Sequence, residues 1–293
     1  MRAWLLAARP KTLTGAAVPV MIGATYAWHE CAGEGFGWLP MILCFLFAFI
    51  MQIDANFVND YYDCVKGKDN EKRLGPKRAC QQGWITLKAM RVALVLTTVL
   101  ACLVGLPLIQ YGGVEMIAVG ALCVVFCFLY TTLFSDIALG DLLVVMFFGV
   151  VPLCCTWWVC SPLASWGEGV VTPLVLSVAC GLVVDTLLIV NNYRDIDNDR
   201  EVGKKTLVVL IGKKASEWLY VVLPALAIVM VLCLFGWTNM NIILTFAIYF
   251  LYTGTWNKMR VISHGKELNR VLGLTARNIF IYGILTSLLI ILQ

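Results

Sequence analysis

Nine mostly apolar stretches punctuate the chain, at about 12–29, 39–58, 92–109, 115–134, 142–160, 171–191, 218–236, 239–256 and 271–292. A membrane-spanning helix needs about 20 such residues. The runs are continuous rather than alternating, which excludes a transmembrane β-barrel. The pattern predicts an all-α polytopic membrane protein with nine transmembrane helices. The eighth stretch, NMNIILTFAIYFLYTGTW, is short enough to be tilted or interfacial. The first runs on too long for a cleavable signal peptide and lacks an A-x-A site.

Composition sharpens this picture. Of 293 residues, 60% are hydrophobic and 14% charged, against roughly 45–50% and about 25% in soluble domains. The mean hydropathy is +0.84. A soluble globular enzyme, a disordered chain and a coiled coil are excluded. The net charge of +4 does not mark a nucleic-acid binder.

The charges are one-sided. The N-terminus and the 2–3, 4–5, 6–7 and 8–9 connections, with adjoining helix ends, hold all 22 Lys and Arg. The opposite connections carry only Glu30, Glu34, Glu115 and Glu168. Basic residues stay cytoplasmic, so the N-terminus and these loops are expected inside a cell's inner (cytoplasmic) membrane, with the C-terminus outside. The 12 cysteines lie mostly within apolar runs, form no C-x-x-C pair, and have only His29 and His264 for company. Packing, not zinc, is their expected role.

The candidate chemistry sits where spans 2 and 6 leave the membrane. One reads Asn56-Phe-Val-Asn59-Asp60-Tyr-Tyr-Asp63, continuing to Lys66, Lys68 and Asp69; the other reads Asn191-Asn192-Tyr193-Arg194-Asp195-Ile-Asp197-Asn-Asp199-Arg200. If the helices continue, Asn56, Asn59 and Asp63 share a face, as do Asn191, Asp195 and Asp199. Spans 2 and 6 therefore look like a diverged repeat, with one Asn/Asp cluster in each of two halves. Solvated acidic loops are the bland alternative, but topology does not require them. Two facing Asn/Asp clusters make a hard-oxygen site suited to Mg²⁺, which takes one or two carboxylates plus substrate phosphates. Lys66, Lys68, Lys72, Arg73, Lys77, Arg78, Arg194, Arg200, Lys204 and Lys205 lie near enough in sequence to hold a diphosphate. For any single lysine a topology role is the simpler reading; Arg78 and Arg194 lie inside the motifs.

NDYYDCVKGKD and NNYRDIDNDREVGKKTL resemble the paired Asp-rich motifs of the UbiA superfamily of intramembrane aromatic prenyltransferases. RPKTLTGAAVPVMIGATYAW is similar to that family's first helix. RLGPKRACQQGWIT and ALGDLLVVMFFGVVP resemble segments of its 1,4-dihydroxy-2-naphthoate prenyltransferase branch, which serves menaquinone biosynthesis. The resemblance covers nearly the whole chain, 1–293, as a single transmembrane domain. It implies Mg²⁺, a polyprenyl diphosphate donor, and motifs at the cytoplasmic mouth of a helical cavity. By position it implies metal binding by Asn59, Asp63, Asp69, Asn191, Asp195 and Asp199, with Arg194 beside them and Tyr130 matching a family tyrosine. Two departures stand out. The segment Tyr130–Asp136 offers no Lys where relatives often place a diphosphate clamp, and Val209, Leu210 and Ile211 fill a segment that usually holds an Arg.

The expected reaction transfers a polyprenyl group to 1,4-dihydroxy-2-naphthoate with loss of CO₂ and diphosphate. Asp63, Asp195, Arg194 and Tyr130 are the expected catalytic residues, and Lys66, Arg78, Arg194 and Lys204 the diphosphate contacts. Membrane lipid is the expected surrounding; neither nucleic acid nor a protein partner is expected. Asp54 and Asp185 lie inside spans, where ionised carboxylates are costly and face the bundle interior. Asp54 reads as structural, and Asp185 as a candidate contact for the acceptor. Competing readings are a prenyltransferase with another acceptor, such as 4-hydroxybenzoate, and a secondary transporter. The latter would place its charges at mid-membrane.

Overall fold

The computed structural model describes residues 2–67, 74–134, 138–165 and 167–293. Every regular element among these residues is helical. Among them, a short helix α1 (Arg2–Ala8) precedes nine long ones: α2 (Leu13–Glu30), α3 (Trp38–Val65), α4 (Leu87–Gly112), α5 (Glu115–Thr132), α6 (Gly140–Cys160), α7 (Val171–Glu201), α8 (Leu207–Phe235), α9 (Asn239–Ile262) and α10 (Leu268–Ile291).

Each long helix contains one of the nine apolar stretches or most of it. Seven of them, α3 to α8 and α10, are long and apolar enough to cross a membrane. The other two are diluted by polar residues: α2 ends in His29 and Glu30, and α9 begins with Asn239 and Asn241 and carries Lys258 and Arg260 near its end. The eighth stretch forms the first part of α9, which is 24 residues long.

Local sequence explains several boundaries. Thr86, Thr206 and Thr238 cap α4, α8 and α9, each accepting from a backbone N–H three residues on; a hydroxyl there satisfies an otherwise orphaned donor. α8 begins before its apolar run and breaks at Gly212, which takes φ 79°, a conformation that favours glycine. A π-helical turn at Met146–Val150 interrupts α6.

Within lipid, helices associate through close packing, so small residues let backbones approach. A β carbon on Gly23 would lie 2.5 Å from the Leu153 carbonyl oxygen, and one on Gly149 2.5 Å from that of Ser177. These contacts draw α2 onto α6 and α6 onto α7. The centre of the bundle is α7: 67% of its apolar window is buried, against 6% for α5. Ile189, Val190, Tyr193 and Ile196 of α7 join Tyr220 of α8, Tyr252 of α9 and Tyr282 of α10 in the main core. The helices of both motifs run on past the apolar stretch, α3 to Val65 and α7 to Glu201. Asn59 and Asp63, and Asn191, Asp195 and Asp199, are therefore held on helix, at the spacing that shares a face.

Candidate active site

A cavity of about 1140 Å³ lies within the bundle. Its polar end gathers Asn59, Asp63 and Arg78 from the first half and Asn191, Arg194, Asp195, Asp199 and Lys204 from the second. Tyr130 lines it from α5. The remainder is apolar, with Phe47, Met51, Phe126, Phe147 and Phe148 among its walls.

In the first half, Arg78 donates to Asp63 Oδ2 at 2.7 Å, both side chains nearly enclosed. Arg78 sits on a loop beyond the motif helix, and Asp60 seats that loop. Its Oδ2 and Oδ1 accept from the backbone N–H groups of Ala79 and Cys80, each at 3.0 Å. Asp60 is 1% exposed, so its charge is matched by these donors. Asn59 accepts from Thr131 on α5 at 2.8 Å.

In the second half the arginine comes from the same helix. Arg194 donates through Nε to Asp195 Oδ1 (2.9 Å) and through Nη2 to Asp195 Oδ2 (2.5 Å) and Asn191 Oδ1 (2.8 Å). Such a two-pronged charge-assisted arrangement fixes both planes. Arg194 also donates through Nη1 to Asn269 at 2.8 Å, and Asn269 donates to the Leu74 carbonyl at 2.9 Å. Asn269, at the start of α10, thus ties the second motif to the chain that follows the first. Lys204 lies 3.7 Å from Asp199.

Not every expected residue joins the site. Lys66 is absent from the cavity wall and donates instead to the Thr132 carbonyl at 2.8 Å. Asp69 lies outside the described residues. Asp54 accepts from Thr97 and from Thr98, the latter at 2.8 Å, in keeping with a structural role. Asp185 is 3% exposed and lies behind the wall; its neighbours Val184, Leu187 and Leu188 face the cavity. All 12 cysteines are free, yet Cys44, Cys102, Cys123, Cys127 and Cys155 line the cavity. A packing role read from apolar runs does not separate cavity wall from solid core.

The structure adds residues that sequence reasoning misses. Asp60 lies inside the first motif and is legible as an acid, but not as the anchor of the Arg78 loop. Asn269 stands alone in its segment and gives no signal. Arg9 and Lys11 line the cavity, with Arg9 at φ 49°; in the sequence they read as topology markers. Asp141 also lines the cavity.

The donor set fits a hard divalent cation in kind, since Asn59, Asp63, Asn191, Asp195 and Asp199 offer only oxygen ligands and amide groups. Among the described residues, no three acidic, His or Cys side chains cluster closely enough to hold a metal by themselves. Mg²⁺ takes one or two protein carboxylates and completes its shell with substrate phosphates.

The UbiA prenyltransferase family profile matches residues 16–268. Two curated relatives named 1,4-dihydroxy-2-naphthoate octaprenyltransferase are similar. The Escherichia coli protein is 37% identical over 72% of this chain and 69% of its own. The Haemophilus influenzae protein is 31% identical over 82% and 80%. Among solved structures, a UbiA homolog from Archaeoglobus fulgidus bound to DMAPP and Mg²⁺ aligns with TM-score 0.66 and 11% identity, covering 97% of this chain and 99% of that one. The apo structure of a UbiA homolog from Aeropyrum pernix aligns with TM-score 0.69 and 17% identity, covering 93% and 98%. These two share the fold.

Proposed function

This chain belongs to the UbiA prenyltransferase family, and on that premise we propose that it prenylates 1,4-dihydroxy-2-naphthoate. A polyprenyl group passes from polyprenyl diphosphate to the aromatic ring, CO₂ and diphosphate leave, and demethylmenaquinol forms. The observation that carries the substrate assignment is the name shared by the relatives that are 31–37% identical over most of the chain. The cavity supports it: a charged end for the diphosphate opens into an apolar chamber for the prenyl chain and the ring.

Asn59, Asp63, Asn191, Asp195 and Asp199, with Asp69, would hold Mg²⁺. When bound, the metal supplies neutralisation of charge on the departing diphosphate. Arg194 and Arg78 are positioned to receive negative charge in the same place, Arg194 held by three side chains so that it needs little reorganisation as charge develops. Lys204 adds a third cation at the mouth. Lys66 contributes long-range charge only, because it is committed to Thr132 and off the wall. The Tyr130 ring offers a π-face to the allylic cation, an interaction worth about 0.5–2 kcal/mol. The apolar walls keep water from that cation. Arg9 and Lys11 offer the matching charge for the acceptor's carboxylate.

The whole chain works as one transmembrane unit in the inner membrane. Its N-terminus and both motif loops face the cytoplasm, the side where charged diphosphate and acceptor are dissolved, and the donor's isoprenoid tail runs into lipid. Purified protein in lipid, given polyprenyl diphosphate, Mg²⁺ and in turn dihydroxynaphthoate and 4-hydroxybenzoate, tests the assignment. Prenylation of the naphthoate is expected; prenylation of the benzoate alone would contradict the acceptor, and uptake of solute without prenyl transfer would contradict the reaction class.

A further inference from the structure

α6 and α7 run antiparallel and touch backbone to backbone. A β carbon on Gly181 would lie 2.8 Å from the Val145 Cα. One helical turn toward the motif end from Val145 stands Asp141 on α6; one turn toward the same end from Gly181 stands Asp185 on α7. Side chains four residues apart share a helix face, so these acids face each other across the interface. Asp141 is 9% exposed and Asp185 3%. One carboxyl oxygen of each, Oδ1, is fully buried without a hydrogen-bond partner. Tyr130 of α5 reaches the same turn of α6: its hydroxyl oxygen would lie 3.7 Å from a β carbon on Gly140.

No cation on their own helices explains this pair. α5 and α6 carry neither Lys nor Arg, and the nearest on α7 is Arg194, more than two turns along. Among the helices packed on these, α3 carries only acids, Asp54, Asp60 and Asp63, and α2 carries His29 and Glu30 at its opposite end, where Glu30 accepts from Trp157. α8 carries Lys213, Lys214 and Glu217, and α10 carries Arg270 and Arg277. Lys213 is turned to Asp197, Glu217 accepts from Tyr193, and Arg277 donates to Asn278. Nor does the diphosphate explain the pair, since two carboxyls would repel it. Two buried acceptor oxygens left unpaired on adjoining helix turns are the arrangement that a single shared proton satisfies. Asp141 is the member that lines the cavity, so it meets the acceptor and Asp185 stands behind it. The π-helical turn of α6 begins at Met146, just beyond the turn that carries Asp141; such turns recur at functional sites.

We propose that Asp141 and Asp185 share one proton and together act as the base for the acceptor's ring hydroxyl. This rests on the prenyl-transfer reading above. As the ring carbon beside that hydroxyl bonds to C1 of the prenyl chain, the C1–O bond to diphosphate breaks and the pair takes the hydroxyl proton, leaving a ring carbonyl. The bond from the same carbon to the carboxylate then breaks and CO₂ leaves. Its electron pair restores the aromatic ring, and the oxygen recovers its proton from the pair. Asp141 is the catalytic residue, and Asp185 is the positioning residue that holds its charge and orientation.

The test uses full-length wild type, Asp141→Asn, Asp185→Asn and Asp141→Glu in detergent, each checked for monodispersity. Turnover with dihydroxynaphthoate is followed across pH, and binding of radiolabelled polyprenyl diphosphate with Mg²⁺ is measured separately. Asp141→Asn is expected to lower kcat by about 100-fold, to lose the acid limb of the pH profile, and to keep diphosphate affinity within about twofold. Asp185→Asn is expected to lower kcat by about tenfold and to displace that limb. Folded Asn variants with wild-type kcat and pH profile would overturn the proposal, as would diphosphate binding that falls in step with turnover. Should the Asn variants not fold, Asp141→Glu decides: it must change kcat and the pH profile while leaving diphosphate affinity intact, and an unchanged profile overturns the proposal. A wild type that prenylates only another hydroxyarene overturns the acceptor assignment, and the same comparison on that acceptor judges the pair. A wild type inactive on every hydroxyarene overturns both.

Discussion

The two motif helices, α3 and α7, solve one problem in different ways. Each must hold a carboxylate beside an arginine at the mouth of the cavity. On α7 the arginine is the residue next to the acid, and Arg194 grips Asp195 and Asn191 within a single turn. On α3 the arginine is supplied from a loop 15 residues away, so Arg78 reaches Asp63 only because Asp60 pins that loop through Ala79 and Cys80. Local chemistry makes the second motif nearly self-sufficient, whereas the first depends on tertiary structure. The Arg194–Asn269–Leu74 chain then couples the two.

The largest expected effect is common to both. Asp63→Ala and Asp195→Ala should each lower turnover by more than about 100-fold while the protein still inserts; wild-type rates in either would remove that motif from the site. The next effect separates the halves. Asp60→Asn should lower turnover by about tenfold and destabilise the fold by about 1–3 kcal/mol, because one of two buried acceptors for backbone donors is lost. The measurements are initial rates and Tm in detergent. Asp197 on α7 has a side chain 74% exposed, so Asp197→Asn should leave both near wild type; a loss matching that of Asp60→Asn would erase the contrast. Asn269→Ala should have a smaller effect, a several-fold fall in turnover with diphosphate affinity reduced, since Arg194 keeps its contacts with Asp195 and Asn191. An effect as small as that of Asp197→Asn is expected from Asp54→Asn, which keeps shape and hydrogen bonding to Thr97 and Thr98 and should leave turnover within about twofold.

What the sequence discloses follows the same division. Apolar run length locates the long helices among the described residues, seven of which are long and apolar enough to cross a membrane. The spacing of Asn59 with Asp63, and of Asn191, Asp195 and Asp199, places each set on one helix face, because both helices continue past their apolar stretches. What depends on folding of distant segments stays hidden. Nothing local in GPKRAC announces that its backbone donors end on Asp60, and nothing near Asn269 announces Arg194. Lys66 shows the reverse failure: it is near the motif in sequence, yet its ammonium donates to the Thr132 carbonyl. Asp185 is legible as an acid within an apolar stretch, but the Gly181–Val145 approach that brings its turn beside that of Asp141 is a property of two packed helices.

The central claim is that both motifs act on one diphosphate through a divalent metal. Equilibrium binding of radiolabelled polyprenyl diphosphate tests it most directly, using wild type, Asp63→Asn, Asp195→Asn and the double variant, with Mg²⁺ and with EDTA. One shared site predicts that EDTA abolishes tight binding to wild type, that each single variant weakens it by at least about tenfold, and that the double variant is weakened by less than the product of the two. Binding that survives EDTA, or that only one motif influences, would contradict the account.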